Sequence, residues 1–301
     1  MISEETVAQV ATLMPQPDRS VVAVAPPGTE PGTWAGAPSV ARDDGEIYLA
    51  YRLRRPQSKG RGYAVAVAHS TDGEHFETLL IIPKEDLGAE SLERPALVAA
   101  PDGGWRLYLS CATPGTKHWR VELLEALHPG AFDARRSRMV LPGDADTAVK
   151  DPVIVRDNDL WHLWASVHPL DDPDQTDRMA TDYACSADGL AWTWQGTALS
   201  PRPGEWDSRG VRVTAVRMEP GNVVAYYDGR ASAAENFEER TGVATGDGPA
   251  VLTAHGPIVQ SPYSKGGLRY LCILDLGDSH ERYYYEMTGP NGAHELRTEL
   301  R

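Results

Sequence analysis

An internal repeat of 57 residues limits the folds that are open to this 301-residue chain. Three segments each contain a proline, an apolar stretch, a turn with Asp or Gly, and a second stretch rich in aromatic and β-branched residues. They are GAPSVARDDGEIYLAYR at 36–52, ERPALVAAPDGGWRLYLS at 93–110 and KDPVIVRDNDLWHLWAS at 150–166. Pro38 and Pro95 are 57 residues apart, as are Pro95 and Pro152. A fixed period of this kind indicates one structural unit that recurs along the chain.

A second motif follows some of these segments. It reads AVAHSTDGEHF at 66–76, YACSADGLAW at 183–192 and, more weakly, GVATGDGPA at 242–250. Each is a strand pattern that runs into an Asp-Gly turn of the type that joins antiparallel strands. Two further units are traced at 209–230 and 261–289. The pattern therefore predicts five units of about four short antiparallel strands.

These units predict an all-β fold, a five-bladed β-propeller with four-stranded antiparallel blades and a short N-terminal helical segment at 4–14. A β-sandwich does not explain the equal spacing, and a β-solenoid coil is normally shorter than 57 residues. The segment HELRTEL at 294–300 is expected to close the ring as the last strand, beside a strand from near residue 20. The prediction is a single domain over 1–301 with approximate blades at 21–85, 86–142, 143–200, 201–255 and 256–301.

Composition restricts the partners of the chain. A formal net charge of -14 with 41% apolar residues indicates a soluble globular protein without the basic face that nucleic acids require. No window approaches the ~18 apolar residues of a membrane span, and the N-terminal sequence lacks the pattern of a secretory signal. A cytoplasmic location is therefore expected. The histidines are scattered and no calcium-loop spacing is present, so neither a metal nor another cofactor is predicted. The oligomeric state is left open.

The charges beside the repeated prolines predict a site. In a propeller the first strand of each blade lines the central channel, so residues next to these strands converge on one face. Glu93 and Arg94 precede Pro95, and Lys150 and Asp151 precede Pro152. Both prolines are expected at the first residue of their strands, where a ladder donor can be lacking. Carboxylates and guanidinium groups hold hydroxyls by paired hydrogen bonds, and aromatic faces stack on sugar rings, so the predicted ligand is a small carbohydrate. The candidate binding residues are Trp34, Arg52, Arg94, His118, Lys150, His168, Arg209, Arg212, Arg230, Glu239 and Ser261.

These motifs resemble the five-bladed propeller glycoside hydrolases, the superfamily of arabinanases, β-xylosidases, invertases, levansucrases and the related mannoside phosphorylases, over roughly residues 30–290. KDPVIVRDNDLWHLW is similar to the Asp-Pro strand that those enzymes use for an active-site carboxylate, and SADGLAW to their Ser-x-Asp-Gly-x-x-Trp turn. Two family positions differ. Blade one reads GAPSV where the family has an Asp base, and SRGVRV offers Arg209 and Arg212 where the family has a Glu proton donor.

The resemblance implies a glycosidase that cleaves a small glycoside or oligosaccharide with paired carboxylates. Glu93 and Asp151 are assigned the acid and base work, and Asp228 or Asp207 supplies a third carboxylate. Neighbouring cations favour the ionised form of a carboxyl group, so Arg94 and Lys150 would tune these pKa values.

Three alternatives stay open. The first is a phosphate-dependent glycoside phosphorylase in which Arg52, Arg209, Arg212 and Arg230 hold phosphate. The second is a propeller that binds carbohydrate without cleaving it. In the third, Glu93 and Asp151 only neutralise Arg94 and Lys150 in a structural ion-pair network.

Overall fold

A computed structural model describes residues 13–219 and 221–301. The helical segment predicted at 4–14 lies outside these ranges except for its last two positions. None of the helices in the described ranges has the length and hydrophobicity needed to cross a lipid bilayer. The helices described there are short 3-10 elements at Pro17–Arg19, Gln57–Lys59, Lys84–Leu87, Pro129–Ala131, Ala134–Arg136, Pro173–Gln175 and Ala233–Glu235.

The rest of the regular structure is β-strand, as the repeat predicts. In chain order the strands are β1 (Val21–Val24), β2 (Trp34–Asp43), β3 (Glu46–Arg54), β4 (Gly62–Ser70), β5 (Glu77–Pro83), β6 (Leu92–Ala99), β7 (Trp105–Ala112), β8 (Trp119–Ala126), β9 (Arg138–Leu141), β10 (Thr147–Asp157), β11 (Leu160–Pro169), β12 (Ala180–Ser186), β13 (Thr193–Leu199), β14 (Gly210–Glu219), β15 (Asn222–Arg230), β16 (Arg240–Gly248), β17 (Val251–Val259), β18 (Leu268–Gly277), β19 (His280–Thr288) and β20 (His294–Leu300).

Consecutive strands form four-stranded antiparallel units. Strands β6–β9, β10–β13 and β14–β17 are separate sheets, and an eight-stranded sheet contains the remaining strands. In that sheet β2–β5 form one antiparallel group, which a single parallel bridge between Trp34 and His294 joins to β20. Strand β1 pairs with β20, as predicted for a strand near residue 20, so it belongs with the last unit and not with the predicted segment 21–85.

The first strands of successive units lie against one another. Strand β2 contacts β6, β6 contacts β10, β10 contacts β14, β14 contacts β18, and β18 returns to β2. Apolar side chains fill the space between neighbouring units, as Val65 and Leu107 do in one core cluster and Trp164 and Val213 in another. Each such buried aliphatic side chain stabilises the fold by roughly 1.5–3 kcal/mol. Because the apolar packing lies between the units, the interior of the ring is left to polar side chains.

A β-bulge interrupts each of these first strands. Pro38, Pro95 and Pro152 lie at three of the bulges, inside their strands, whereas the sequence suggested that Pro95 and Pro152 stand at strand starts. A bulge breaks the hydrogen-bond ladder, so it tolerates a residue without an N–H. Ala37 and Asp151, just before two of these prolines, have left-handed φ values of 52° and 53°. The register shifts lie between Gly36 and Ser39, Leu92 and Pro95, Lys150 and Val153, Val213 and Ala215, and Arg269 and Cys272.

Two Ser-x-Asp-Gly turns each contact a neighbouring unit. The Oγ of Ser186 accepts a hydrogen bond from the amide of Gly189 at 2.9 Å. The hydroxyl of Tyr108, from the preceding unit, donates to the carbonyl of Gly189 at 2.7 Å. The same contact recurs between Tyr284 and Gly73 at 2.9 Å. The repeated motif therefore supplies a hydrogen-bond acceptor that joins neighbouring units.

Replacing Tyr108 with Phe should lower the free energy of unfolding by about 1 kcal/mol, because the buried carbonyl of Gly189 loses its donor. Urea denaturation of Tyr108→Phe beside the wild type measures this difference. Tyr263→Phe is the matched control, since Tyr263 is 41% exposed. Equal stability of both variants and the wild type would show that the hydrogen bond from Tyr108 to Gly189 does not contribute to the free energy of unfolding.

Candidate active site

A cavity of about 240 Å³ opens where the units meet. Its lining includes side chains from the first or second strand of every unit. The volume is below the ~300–1,000 Å³ typical of pockets for drug-sized ligands, so the ligand is small. Seven lining side chains are cationic and three are carboxylates. The charged and aromatic lining residues are Arg54, Arg61, Glu93, Lys117, Trp119, Lys150, His168, Asp177, Arg212, Arg230, Phe237, Glu239, Arg269 and Tyr270.

Six of the residues predicted from the sequence line this pocket. They come from different units, so the ring brings together side chains that lie far apart along the chain. These six are Glu93, Lys150, His168, Arg212, Arg230 and Glu239. Five more lie directly behind the lining and contact it through hydrogen bonds or ring contacts. These five are Asp151, Asp228, Arg52, Arg94 and Trp34.

Asp151 is fully buried next to the pocket. Its carboxylate accepts hydrogen bonds from the amide of Arg94 at 3.2 Å and from Nη1 of Arg212 at 3.0 Å. The Nζ of Lys150 is 3.5 Å away, and the hydroxyl of Tyr270 is 3.4 Å away. Burial by itself disfavours the carboxylate, but Lys150 and Arg212 outweigh it and hold the pKa of Asp151 well below its usual range. Asp151 is therefore an anion that orients two of the lining cations.

Asp228 has the opposite electrostatic character. It accepts hydrogen bonds from Nη2 of Arg212 at 2.6 Å and from the amide of Tyr270 at 3.0 Å. Burial raises the pKa of Asp228 to about 6, although Arg212 acts against this shift. Asp228 is 0% exposed, so it acts on the pocket through Arg212.

Glu93 is a carboxylate of the pocket lining itself. It forms an ion pair with Arg52 and accepts a hydrogen bond from Nη1 of Arg54 at 3.1 Å. The guanidinium carbon of Arg54 lies 4.2 Å from the ring centroid of Trp34 and 4.5 Å from that of Phe237. Planar stacking of this kind holds an arginine in one orientation. Glu93 is thus fixed in position by two oriented guanidinium groups.

Glu239 is the second buried carboxylate of the lining. It forms ion pairs with Arg230 and with Nη1 of Arg269, the latter at 2.7 Å. Burial disfavours its charge, but Arg269 and Arg230 outweigh burial and lower the pKa of Glu239. Burial also lowers the pKa of His168 to about 3, so this lining imidazole is neutral at physiological pH.

Glu286 was not predicted from the sequence, because it lies inside the aromatic run of β19 with no motif around it. It accepts hydrogen bonds from Arg52 at 2.7 Å, from Arg269 at 2.7 and 2.9 Å, and from His294 at 2.6 Å. A Cβ on Gly36 would lie 2.1 Å from Oε2 of Glu286, so only glycine fits there. A carboxylate from another unit therefore occupies the space beside GAPSV, where the sequence has no acid.

Other lining residues were also missed. The sequence marks these residues only weakly, because each charged residue among them lies at the edge of an apolar strand or in a connecting loop. They are Arg54, Arg61, Trp119, Asp177, Phe237, Arg269 and Tyr270, whereas Lys117 was expected from the sequence at this end of its unit.

Four predicted residues do not line the pocket. All four lie in loops between strands, and the strand pattern of the sequence does not fix the path of a loop. Asp207 binds Arg202 and Tyr227, His118 binds Thr113, and Ser261 donates to the carbonyl of Thr288. Arg209 binds Asp177, a residue of the lining, without lining the pocket itself.

Within residues 13–219 and 221–301, no group of three or more His, Cys, Asp or Glu side chains is arranged to hold a metal ion.

No protein-family model and no curated protein matches this sequence. Solved structures do resemble it. The GH43_1 enzyme from Xanthomonas citri complexed with xylose superimposes with a TM-score of 0.66 at 14% identity, over 99% of this chain and 93% of that one. The β-1,2-mannobiose phosphorylase from Listeria innocua, complexed with β-1,2-mannobiose, gives 0.63 at 15% identity, over 88% of this chain and 89% of that one.

A third structure, described as a glycoside hydrolase, gives a TM-score of 0.72 at 13% identity, over 100% of this chain and 96% of that one. At such identities the likeness establishes the fold. The chain therefore has the β-propeller fold that these glycoside hydrolases share with the mannobiose phosphorylase.

Proposed function

We propose that the four-stranded units are the blades of a five-bladed propeller, and that the protein is an enzyme that cleaves the glycosidic bond of a small glycoside in the axial pocket. The cyclic contacts of the first strands support the blade count. The fold is one on which glycoside hydrolases and a glycoside phosphorylase are built. Fold alone does not determine chemistry, so the proposal depends on the pocket.

The observation that carries the proposal is the presence of two buried carboxylates, Glu93 and Glu239, in one cavity that is also lined by hydrogen-bond donors and aromatic rings. Glycosidic cleavage needs one carboxyl group near the leaving oxygen and another on the opposite side of the sugar. Trp119, Phe237 and Tyr270 provide rings in the same cavity. Aromatic faces and charged donors together suit a sugar, which has apolar faces and polar edges.

We assign direct roles to Glu93 and Glu239, which line the pocket. Asp151 is a positioning residue, because it lies behind the lining and holds Arg212 and Lys150. Asp228 holds Arg212 in the same way. No role in the reaction is assigned to Asp207, which lies outside the pocket lining.

A panel of 4-nitrophenyl α- and β-glycosides of pentoses and hexoses tests the proposal. We expect turnover of at least one substrate, and we expect Asp151→Asn to reduce its kcat by roughly 10²-fold, the cost of misplacing the groups that a positioning residue holds. Asp157→Asn, at the exposed far end of the same strand, should leave kcat unchanged. Sugar binding without turnover across the panel would instead establish a carbohydrate-binding propeller.

Phosphorolysis is a second candidate because cations exceed carboxylates by seven to three in the lining. Guanidinium groups bind phosphate oxygens through paired hydrogen bonds. In this reaction the phosphate oxygen bonds to the anomeric carbon as the glycosidic bond breaks, and a sugar 1-phosphate forms. The same panel assayed with and without inorganic phosphate separates the two reactions by this product.

A further inference from the structure

The cations of the pocket are not equally neutralised. Arg212 bonds to Asp151 and Asp228, and Arg269 bonds to Glu239 and Glu286. All three nitrogens of each of these guanidinium groups donate hydrogen bonds to buried carboxylates of the protein. They have little charge left for a ligand.

Four other cations of the lining, Arg54, Arg61, Lys117 and Lys150, are poorly paired, and we call them the basic wall. Arg54 shares Glu93 with Arg52, and its buried Nε has no hydrogen-bond partner in the described structure. Arg61 lies 3.6 Å from a half-exposed carboxylate of Glu90. The basic wall therefore carries more positive charge than its carboxylates neutralise.

Lys150 and Lys117 are also poorly neutralised by carboxylates. The nearest carboxylate to Lys150 is Asp151 at 3.5 Å, which Arg212 already binds at 3.0 Å. Lys117 is exposed and forms no ion pair within the described residues. Burial lowers the pKa of Lys150 to about 8, and the nearby cations Arg212 and Arg52 act in the same direction. An anion placed here would relieve the repulsion among these groups.

An aromatic ring lies among these cations. The ring centroid of Trp119 is 4.8 Å from Nζ of Lys150 and 5.7 Å from the guanidinium carbon of Arg61. Trp119 also lines the pocket. This part of the cavity thus combines a ring for the face of a sugar with cations for a negatively charged substituent.

We propose that the basic wall recognises an anionic group carried by the sugar itself, either a carboxylate or a phosphate ester. The inference rests on the proposed function and names the substrate class: an acidic sugar. The protein has a net charge of -14, so an anionic ligand would be repelled from most of its surface. A local excess of cations reverses that repulsion only inside the pocket.

The position of the basic wall favours a substituent over a free phosphate. The carboxylates assigned to the reaction are deep, with Glu93 4% and Glu239 1% exposed. A phosphate that attacks the anomeric carbon must lie beside them. Lys117 is exposed and Arg61 is partly exposed, so the basic wall extends outward to the opening of the cavity. A group bound by Lys117 and Arg61 is held away from the reacting bond, which lies at the end of the basic wall where Arg54 binds Glu93.

Calorimetric titration with matched sugar sets tests this inference. The probes are glucose, glucuronate and glucose 6-phosphate, the corresponding galactose and mannose sets, and inorganic phosphate alone. In at least one set we expect an anionic sugar to bind roughly tenfold to a hundredfold more tightly than its neutral parent, the range for one or two charge-assisted hydrogen bonds. The preference should shrink at high ionic strength, because exposed charges are screened.

Two substitutions test whether the preference for an anionic sugar comes from the basic wall. Arg61→Gln and Lys117→Gln should each lose much of the preference for the anionic sugar, and both positions are exposed enough for the fold to tolerate the change. Arg156→Gln removes the same charge from an exposed position at the other end of β10 and should keep the preference. Equal losses in all three variants would overturn the inference.

Three further results would also overturn it: equal affinity for neutral and anionic sugars, no binding of any anionic sugar, and binding of inorganic phosphate alone. Failure of the proposed function gives a different result. An acidic sugar that binds while none of its aryl glycosides is cleaved would remove the enzymatic proposal and leave this inference standing.

Discussion

Glu93→Gln is expected to reduce kcat on the aryl glycoside that the wild type cleaves by roughly 10²–10⁴-fold, the contribution of one general acid–base group. Glutamine keeps the shape of the side chain and still accepts the 3.1 Å hydrogen bond from Arg54. It cannot exchange a proton with a leaving oxygen or carry the negative charge. The loss should therefore fall on kcat more than on KM.

Steady-state kinetics and a thermal melt of the same sample measure the effect and confirm that the variant is folded. Glu90→Gln is the matched control, because Glu90 also interacts with a lining arginine, Arg61, yet does not line the pocket. Wild-type turnover in Glu93→Gln would show that Glu93 belongs only to the ion-pair network around Arg52 and Arg54.

Glu286→Gln is expected to lower the free energy of unfolding by about 3–5 kcal/mol, the cost of leaving a buried charge without its partner. Glu286 lies between Arg52 and Arg269 at 2.7 Å from each and is 0% exposed. Burial alone would raise its pKa, but Arg269 and Arg52 outweigh burial and hold the pKa of Glu286 well below its usual range. With the neutral amide, Glu93 is the one buried carboxylate left to Arg52 among the described residues, and Glu239 is the one left to Arg269.

Urea denaturation measures this difference, and Glu125→Gln provides the control. Glu125 also holds two arginines, Arg106 at 3.2 Å and Arg138 at 2.6 Å, but its side chain is 46% exposed. Water screens such a pair, so its loss should cost less than about 1 kcal/mol. Similar losses in the two variants would mean that the buried network around Glu286 contributes no more than a surface pair.

The sequence predicted the four-stranded units of the fold well because the same pattern of proline and strands recurs along the chain. Pro38, Pro95 and Pro152 recur at one spacing, and the strands around them form antiparallel sheets as expected. The position of a proline within its strand was not predictable from spacing. The apolar pattern continues through a bulge, so the strand start and the bulge look alike in the sequence.

Residues on strands were placed better than residues on loops. Glu93 and Lys150 lie one repeat apart on first strands, and both line the pocket. Asp207 and His118 lie in loops, where local hydrogen bonds decide the direction of the side chain. Glu286 was missed for a third reason. Its role is set by Arg52 and Arg269 from other strands, and no local pattern records such partners.

The pairing of β1 with β20, and the bridge from β20 to β2, affect how the protein is made. Residues 21–24 leave the ribosome long before residues 294–300. Strand β1 and the edge of β2 at Trp34 therefore remain without their partner β20 during most of synthesis. Unpaired edges bind other strands readily. Aggregation during translation, and the protection that chaperones give against it, should therefore limit the yield of this protein more than the stability of its finished ring.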